Sequence, residues 1–117
     1  MLKLTFLSAL AALAFLPVSA GAASSCGLAS YYGPGFHGRT TANGERFNAY
    51  GLSAAHKSLP FGARVRVTNQ SNGRSVVLKI NDDGPYYGNR IIDLSEGAFA
   101  RIASTEQGVA SVCISRL

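Results

Sequence analysis

Beyond its first two dozen residues, the chain consists of short apolar segments separated by polar, glycine-rich turns. Residues 63–68 place Val65 and Val67 on one face and arginines on the other, which is the alternation of a half-buried strand. Residues 75–80 repeat this pattern with Val76, Leu78 and Ile80. The polar stretch between the two segments contains an Asn-Gly pair, so they are predicted to form a β-hairpin.

Other segments complete the predicted set of elements. Three further apolar stretches are strand candidates: residues 27–32, 90–93 and 109–115. A short helical turn is predicted over residues 53–57. Ser95 is a suitable N-cap for a helix that ends near Ala103, because Phe99 and Ile102 follow at helical spacing. Short strands, tight turns and one or two short helices are typical of a small closed barrel. The predicted fold class is therefore mainly β.

The N-terminal residues have the pattern of a secretory signal peptide. Lys3 gives a positive start, an almost unbroken apolar stretch follows over residues 4–18, and small residues come next. The apolar stretch is shorter than the roughly 20 residues of a membrane span, so no stable membrane insertion is expected. We predict a signal peptide over residues 1–22 and one domain over residues 23–117, exported to the periplasm or cell envelope. An uncleaved N-terminal anchor is the alternative.

The charge of the chain bears on its partners. The net charge is +5, one unit less without Lys3, and the basic residues are scattered rather than clustered, which disfavours nucleic acid as a partner. An acidic cell-wall polymer is an equally good electrostatic match, and it suits an exported protein better. We expect a monomer that binds such a polymer.

Two cysteines, Cys26 and Cys113, lie near the two ends of the predicted domain. An even pair in an exported protein is usually a disulfide. This one would close a loop of nearly the whole domain and stabilise it by on the order of 4 kcal/mol in the chain-entropy model. Lipidation of Cys26 is the less favoured alternative, because the preceding residues 23–25 lack the large aliphatic residue of a lipobox.

The chain has six acidic residues, and three of them lie where apolar strands meet turns. Asp82 and Asp93 each end an apolar strand candidate, and Glu45 follows the Asn43-Gly44 turn. Carboxyls at the ends of strands in a small barrel can converge on one groove. Cleavage of a glycosidic bond needs such groups, because the leaving oxygen must be protonated. A turn role for Asp82 and a helix-opening role for Asp93 are the alternatives.

Other side chains near these carboxyls are candidates for binding. We predict a substrate-binding set of Tyr31, Tyr32, Phe36, Asn81 and Arg90. Its aromatic members offer flat apolar faces on which sugar rings can lie. His56 could orient a carboxylate or contact a sugar, although a lone histidine is more often a hydrogen-bonded structural residue. Only His37 accompanies it, so no metal site is expected, and without a phosphate loop no cofactor is expected.

Seven short stretches follow one another at characteristic spacing. They include GLASYYG at 27–33, FHGRTTANGE at 36–45 and RIIDLS at 90–95, with others at 54–62, 65–69, 72–77 and 81–85. In this order they resemble the rare lipoprotein A domain family. The resemblance runs from Gly27 to about Ala103, which is most of the predicted domain, and it is far more specific than a single short motif.

The resemblance implies a six-stranded double-psi β-barrel related to expansins. It also implies lytic transglycosylase activity on peptidoglycan glycan strands, leaving 1,6-anhydro ends, with a role in cell-wall organisation and a preference for strands stripped of stem peptides. Residue by residue, Glu45, His56 and Asp82 match positions implicated in that activity. Asp93 matches the aspartate of the expansin-type Asp-Leu-Ser motif. The predicted catalytic set is Asp93, Asp82, Glu45 and His56, with Asp93 or Asp82 as the proton donor.

Two positions depart from the family pattern. Asp83 stands where the family usually has arginine, which adds a carboxyl beside Asp82 and removes a cation that could bind substrate. Asn48 stands where members often have aspartate. The alternative function is a non-catalytic, expansin-like polysaccharide-binding or wall-loosening module. A small secreted protease inhibitor is a third hypothesis, and it leaves the carboxyls unexplained.

Overall fold

The computed structural model describes residues 24–117, and the predicted signal peptide lies outside this range. The strands are β1 Ser24–Tyr31, β2 Ser53–His56, β3 Arg64–Asn69, β4 Ser75–Asp82, β5 Arg90–Leu94 and β6 Ala110–Arg116. One α-helix, α1, spans Glu96–Ile102, and single 3-10 turns lie at Pro34–Phe36 and Thr105–Gln107. None of the helices in the described range is long and apolar enough to cross a membrane.

The six strands close into a barrel in the order β1-β5-β2-β4-β3-β6. Two neighbouring pairs are parallel, β1 with β5 and β2 with β4, and the other four pairs are antiparallel. Closure leaves no unpaired sheet edge. The prediction of a mainly β, six-stranded barrel is confirmed.

The barrel interior is filled by the apolar faces of the strands and by α1. Val65, Val67 and Ile80 are completely buried, as the alternation in the hairpin predicts. Helix α1 adds Phe99 and Ile102, which are also completely buried. The Oγ atom of the N-cap, Ser95, accepts a hydrogen bond from the Ala98 backbone N–H, so the predicted start of this helix is confirmed.

Residues 53–57 do not form the predicted helical turn. They belong largely to strand β2, which lies between β5 and β4. Ala54 is completely buried in the core, and backbone pairing on both sides outweighs the helix preference of two adjacent alanines. The hairpin strand β4 also runs two residues further than predicted, so that Asp82 is its last residue.

Cys26 and Cys113 lie directly opposite each other in the antiparallel pair β1 and β6. They form a disulfide with 87 residues of sequence separation, so the predicted bond is confirmed. In this arrangement the sulfur of Cys26 is not available to carry a lipid. The bond joins the two ends of the domain at adjacent strands of the barrel.

The long connection between β1 and β2 packs against the start of α1. The backbone N–H of Gly97 donates to the carbonyl of Ala49 at 2.8 Å. A Cβ atom at position 97 would lie 2.7 Å from the carbonyl oxygen of Tyr50, so only glycine permits this approach. The contact fixes one end of the connection, whose other residues border the site described next.

Candidate active site

Four residues form a row across four adjacent strands. Ser30 of β1 pairs with Asp93 of β5, Asp93 pairs with Ala55 of β2, and Ala55 pairs with Asp82 of β4. Partners in register present their side chains on the same face of a sheet. The two aspartates therefore flank Ala55, with their Cα atoms about 10 Å apart, because neighbouring strands lie ~4.8 Å from each other. We call these four residues the carboxylate row.

The carboxylate row lies in a groove of about 330 Å³. Because Ala55 has only a methyl group, it leaves open space between the two carboxyls. The walls come from the end of β1, the 3-10 turn after it and the β4–β5 connection, and they include Tyr31, Tyr32, Phe36, Asp83, Tyr86, Tyr87 and Arg90. The structure therefore brings together both predicted aspartates and four of the five predicted substrate-binding residues.

Asp93 has one oxygen engaged and one that faces a cation. Its Oδ1 atom accepts a hydrogen bond from the Ser30 hydroxyl. Its Oδ2 atom lies 3.7 Å from Nη2 of Arg90, which is longer than a hydrogen bond. The Asp93 side chain is 19% exposed, so it is held from one side and reachable from the groove on the other.

Asp82 is anchored far more completely. Its Oδ2 atom accepts from the Tyr32 hydroxyl at 2.6 Å, and its Oδ1 atom accepts from the backbone N–H groups of Ala42 at 2.9 Å and Asp83 at 3.0 Å. Three donors on two oxygens match the acceptor pattern of an ionised carboxylate. The bond from Ala42 also fastens the β1–β2 connection to the end of β4.

Tyr32 joins the carboxylate row to the aromatic wall. Its ring stacks on Phe47 with centroids 4.4 Å apart and meets the edge of Phe36 at 5.5 Å. Burial, followed by the hydrogen bond to Asp82 and the charges of Asp82 and Asp93, raises the pKa of Tyr32 well above its ordinary value. Its hydroxyl therefore stays protonated and acts as a permanent donor to Asp82.

Glu45 lies beside the groove without lining it. Its carboxylate bonds to Lys79 Nζ at 2.8 Å and to Asn81 Nδ2 at 3.1 Å, and these two bonds lower the pKa of Glu45. An ionised Glu45 has no proton to donate at neutral pH. Asn81 is itself buried and does not reach the groove, so the predicted binding role of Asn81 has no direct contact to support it.

His56 lies in a different depression, of about 380 Å³, with Leu59, Ile114 and Arg116. Its Nδ1 atom accepts the backbone N–H groups of Ser58 and Leu59, both at 3.1 Å. Burial, followed by the charge of Lys57, lowers the pKa of His56, which keeps the ring neutral. This depression is slightly larger than the groove, but it contains no carboxylate. The structure does not bring His56 to the carboxylate row.

Sequence reasoning missed two members of the carboxylate row. Ser30 could have been noticed, since it lies in a strand candidate beside two tyrosines. Ala55 carries no chemical signal, because its contribution is open space. Tyr31 lines the groove, but its hydroxyl donates to the carbonyl of Thr105 at 2.7 Å and its ring packs on Phe99 at 4.8 Å. Both contacts hold Tyr31 in the fold, so its role in the groove is mainly structural.

The arrangement suits acid–base chemistry on a ligand in the groove. Asp93 offers a carboxyl oxygen beside an open floor, and Asp82 offers a fixed negative charge on the other side of Ala55. Protonation of a leaving oxygen by a positioned carboxyl is a common means of breaking a glycosidic bond. Within residues 24–117 no three His, Cys, Asp or Glu side chains are grouped so that they could hold a metal ion.

A family model described as lytic transglycolase matches residues 24–114, which is nearly the whole described structure. The chain belongs to this family. It is 61% identical over 88 residues to the probable endolytic peptidoglycan transglycosylase RlpA of Synechocystis sp., covering 75% of this chain and 27% of that protein. It is 52% identical over 86 residues to the endolytic peptidoglycan transglycosylase RlpA of Pseudomonas aeruginosa, covering 74% of this chain and 25% of that protein. The chain thus spans about a quarter of the length of these two relatives.

Solved structures share the barrel with this member of the lytic transglycolase family. A Streptomyces papain inhibitor superposes with a TM-score of 0.66 at 25% identity, covering 81% of this chain and 94% of that chain. A mutant Clavibacter michiganensis expansin in complex with cellohexaose gives a TM-score of 0.65 at 18% identity, covering 81% and 50%. The predicted double-psi β-barrel is confirmed. Because one fold carries an inhibitor and an expansin, the function of this chain must be argued from its own residues.

Proposed function

We propose that this domain is an endolytic peptidoglycan transglycosylase. It cleaves glycan strands between N-acetylmuramic acid and N-acetylglucosamine and leaves 1,6-anhydro ends. The observation that carries the proposal is the carboxylate row, in which Asp93 and Asp82 face one groove across Ala55. The names of the relatives in Synechocystis and Pseudomonas aeruginosa point to the same reaction.

Asp93 is the proton donor in this mechanism. Its Oδ2 side gives a proton to the glycosidic oxygen as the bond from that oxygen to C1 of the muramoyl residue breaks. The resulting Asp93 carboxylate then takes the proton from the C6 hydroxyl of the same residue, whose oxygen bonds to C1 and closes the 1,6-anhydro ring. The carboxyl is regenerated and no water is consumed, so one acid–base group serves both steps.

Asp82 stabilises the charge that develops during cleavage. The transition state of glycosidic cleavage carries positive charge on the sugar ring, and a fixed carboxylate nearby lowers its energy. Tyr32 and the backbone of Ala42 hold Asp82 in place. Glu45 has an indirect role: it accepts a hydrogen bond from Asn81, the residue before Asp82, and so helps to position the end of β4. His56 also has an indirect role, because its ring accepts the backbone N–H groups of the turn after β2.

Binding of the strand falls to the aromatic walls. Tyr86 and Tyr87 at the rim are 70% and 77% exposed, and Phe36 also lines the groove. Such rings provide stacking surfaces for sugars. In this proposal the domain acts as a monomer in the periplasm or cell envelope, after removal of residues 1–22. The disulfide supports an oxidising compartment.

The test is digestion of glycan strands that carry no stem peptides by the purified domain, with products identified by mass spectrometry. Release of fragments with anhydromuramic acid ends is the expected result. Fragments with reducing ends would indicate hydrolysis instead. Strand binding without any release would favour the non-catalytic, expansin-like module, and neither binding nor release would contradict both functions.

A further inference from the structure

Arg90 has an unusual position in the groove. Its side chain is 28% exposed, and its Nε atom is buried without a hydrogen-bond partner among the described residues. The nearest carboxylate oxygen, Oδ2 of Asp93, lies 3.7 Å from Nη2, and that is beyond hydrogen-bond range. A guanidinium has five N–H donors. Removing such a group partly from water without giving it acceptors costs free energy. The part of the side chain that lines the groove can bind an acceptor on a ligand, whereas the buried Nε atom is out of its reach.

The charges around Arg90 restrict where a negative group of a ligand can lie. Three carboxylates line the groove, those of Asp82, Asp83 and Asp93, and Arg90 is the one cation among its described lining residues. An anionic group placed beside Asp82 or Asp83 would meet like charge. The most favourable position for it is against the guanidinium, where planar, bidentate bonding to a carboxylate is possible, and where the neighbouring Asp93 is the protonated acid of the proposed mechanism.

We propose that Arg90 binds the free lactyl carboxylate of a muramoyl residue and so makes the domain selective for strands without stem peptides. This inference rests on the proposed function and names the residue that recognises the substrate. A muramoyl residue that carries a peptide has an amide in place of the lactyl carboxylate, so it presents no anion at that position, and the peptide adds bulk there. When Arg90 binds this carboxylate, the muramoyl residue lies next to Asp93, the proposed proton donor three positions further along β5.

The experiment compares two forms of the same short glycan strand. One form keeps its lactyl carboxylates, and in the other they are converted to primary amides, which removes the charge with almost no change in size. Dissociation constants and rates of anhydro-end release are measured for both forms. We expect the unmodified protein to prefer the carboxylate form by about 10- to 100-fold, the range of a hydrogen bond to a charged group.

Variants of Arg90 test whether its guanidinium causes this preference. Arg90→Gln should bring the ratio between the two forms close to one, and Arg90→Lys should keep part of the preference, because lysine retains the charge without the bidentate geometry. Arg74→Gln, an equal change of charge on the exposed hairpin between β3 and β4, should leave the ratio unchanged. Unchanged melting temperatures establish that each variant is folded.

The outcomes separate this inference from the proposed function. Equal binding of both strand forms by the unmodified protein, or a preference that survives in Arg90→Gln, overturns the role of Arg90 whether or not cleavage occurs. A preference that is lost in Arg90→Gln supports the role even if no anhydro ends appear. In that last case the proposed activity fails while the recognition of the carboxylate stands.

Discussion

The Tyr32 hydroxyl donates a 2.6 Å hydrogen bond to Asp82, although the two residues lie 50 positions apart in the chain. The bond connects the residue just after β1 with the last residue of β4, so it links two walls of the groove. The ring of Tyr32 also stacks on Phe47, which fixes the direction of the hydroxyl. Tyr32 thus determines where the Asp82 carboxylate points.

Tyr32→Phe should separate this hydrogen bond from the stacking. The variant keeps the ring on Phe47 and leaves Asp82 with its two backbone donors. Loss of one bond to a charged group should reduce the free energy of unfolding by about 1.5–3 kcal/mol and slow anhydro-end release by about tenfold or more. Tyr50→Phe, which changes a tyrosine that is 80% exposed and lies outside the groove, is the control and should alter neither quantity. An unchanged rate for Tyr32→Phe would show that the orientation of Asp82 does not matter.

Ala55 offers a test of the open floor between the aspartates. Ala55→Phe should fill that space and abolish strand binding, because a bulky side chain would separate Asp93 and Asp82 from the ligand. Ala55→Ser adds a single oxygen atom and should retain most of the activity. The measurements are strand binding and product release at a temperature where both variants are folded. Full activity in Ala55→Phe would mean that the ligand does not occupy the floor of the groove.

Much of the fold was predictable from the alternation of apolar and polar residues. The β3–β4 hairpin and the helix after Ser95 follow from local patterns whose physical cause lies within a few residues. Strand β2 was not predictable in this way. Its sequence, Ser-Ala-Ala-His, has no alternation, and it is a strand because β4 and β5 pair with it from both sides.

The site was predictable in its chemistry but not in its geometry. Asp82 and Asp93 stood out because charges are few and both end apolar segments. Their separation by one alanine depends on the register in which β4 and β5 pair with β2, a strand that is separated from them in sequence by β3. The same limit explains His56, whose neighbours along the chain gave no indication that its ring enters a different depression from that of the aspartates.

Removal of the disulfide should lower the stability of the domain strongly and change its activity little. Replacing both Cys26 and Cys113 by serine frees a loop of nearly the whole domain and should lower the free energy of unfolding by about 4 kcal/mol. Neither residue lines the groove, so cleavage below the melting temperature should be nearly unchanged. Thiol labelling of the unreduced protein should find no free thiol. Labelling of both cysteines, or a diacylglyceryl mass on Cys26, would contradict the bond.

His56 predicts how stability depends on pH. The folded protein favours the neutral ring, because burial lowers the pKa of His56 below its ordinary value of 6.5. Its contribution to stability is complete above about pH 6.5 and is lost as the pH falls through the lower pKa of the folded state, because the unfolded chain then binds more protons. Urea unfolding between pH 7 and pH 5 should show this decline, and His56→Gln should flatten it. His37→Gln is the control, and equal slopes in all three proteins would exclude the effect.

The identity of the proton donor gives the last prediction. Asp93→Asn and Asp82→Asn keep size but remove the carboxyl, and each should slow anhydro-end release by on the order of 100-fold or more. Asp83→Asn should change the rate little. Asp83 is exposed, and its contact with the carboxylate row is made by its backbone N–H, which donates to Asp82 and is kept in the variant. Melting temperatures must be checked for all three variants.

A change of leaving group distinguishes the two aspartates. A strand that ends in a p-nitrophenyl glycoside releases a phenolate that needs no proton, so loss of the acid matters much less on this substrate. Measured as release of p-nitrophenolate, which reports bond cleavage and not ring closure, Asp93→Asn should therefore recover much of its rate, whereas Asp82→Asn should stay slow, because the charge that Asp82 stabilises still develops on the sugar. If the rate recovers in Asp82→Asn alone, Asp82 is the proton donor and Asp93 is the charge-stabilising residue. Near-normal release from natural strands by both variants would mean that neither aspartate is the acid and would contradict the proposed mechanism.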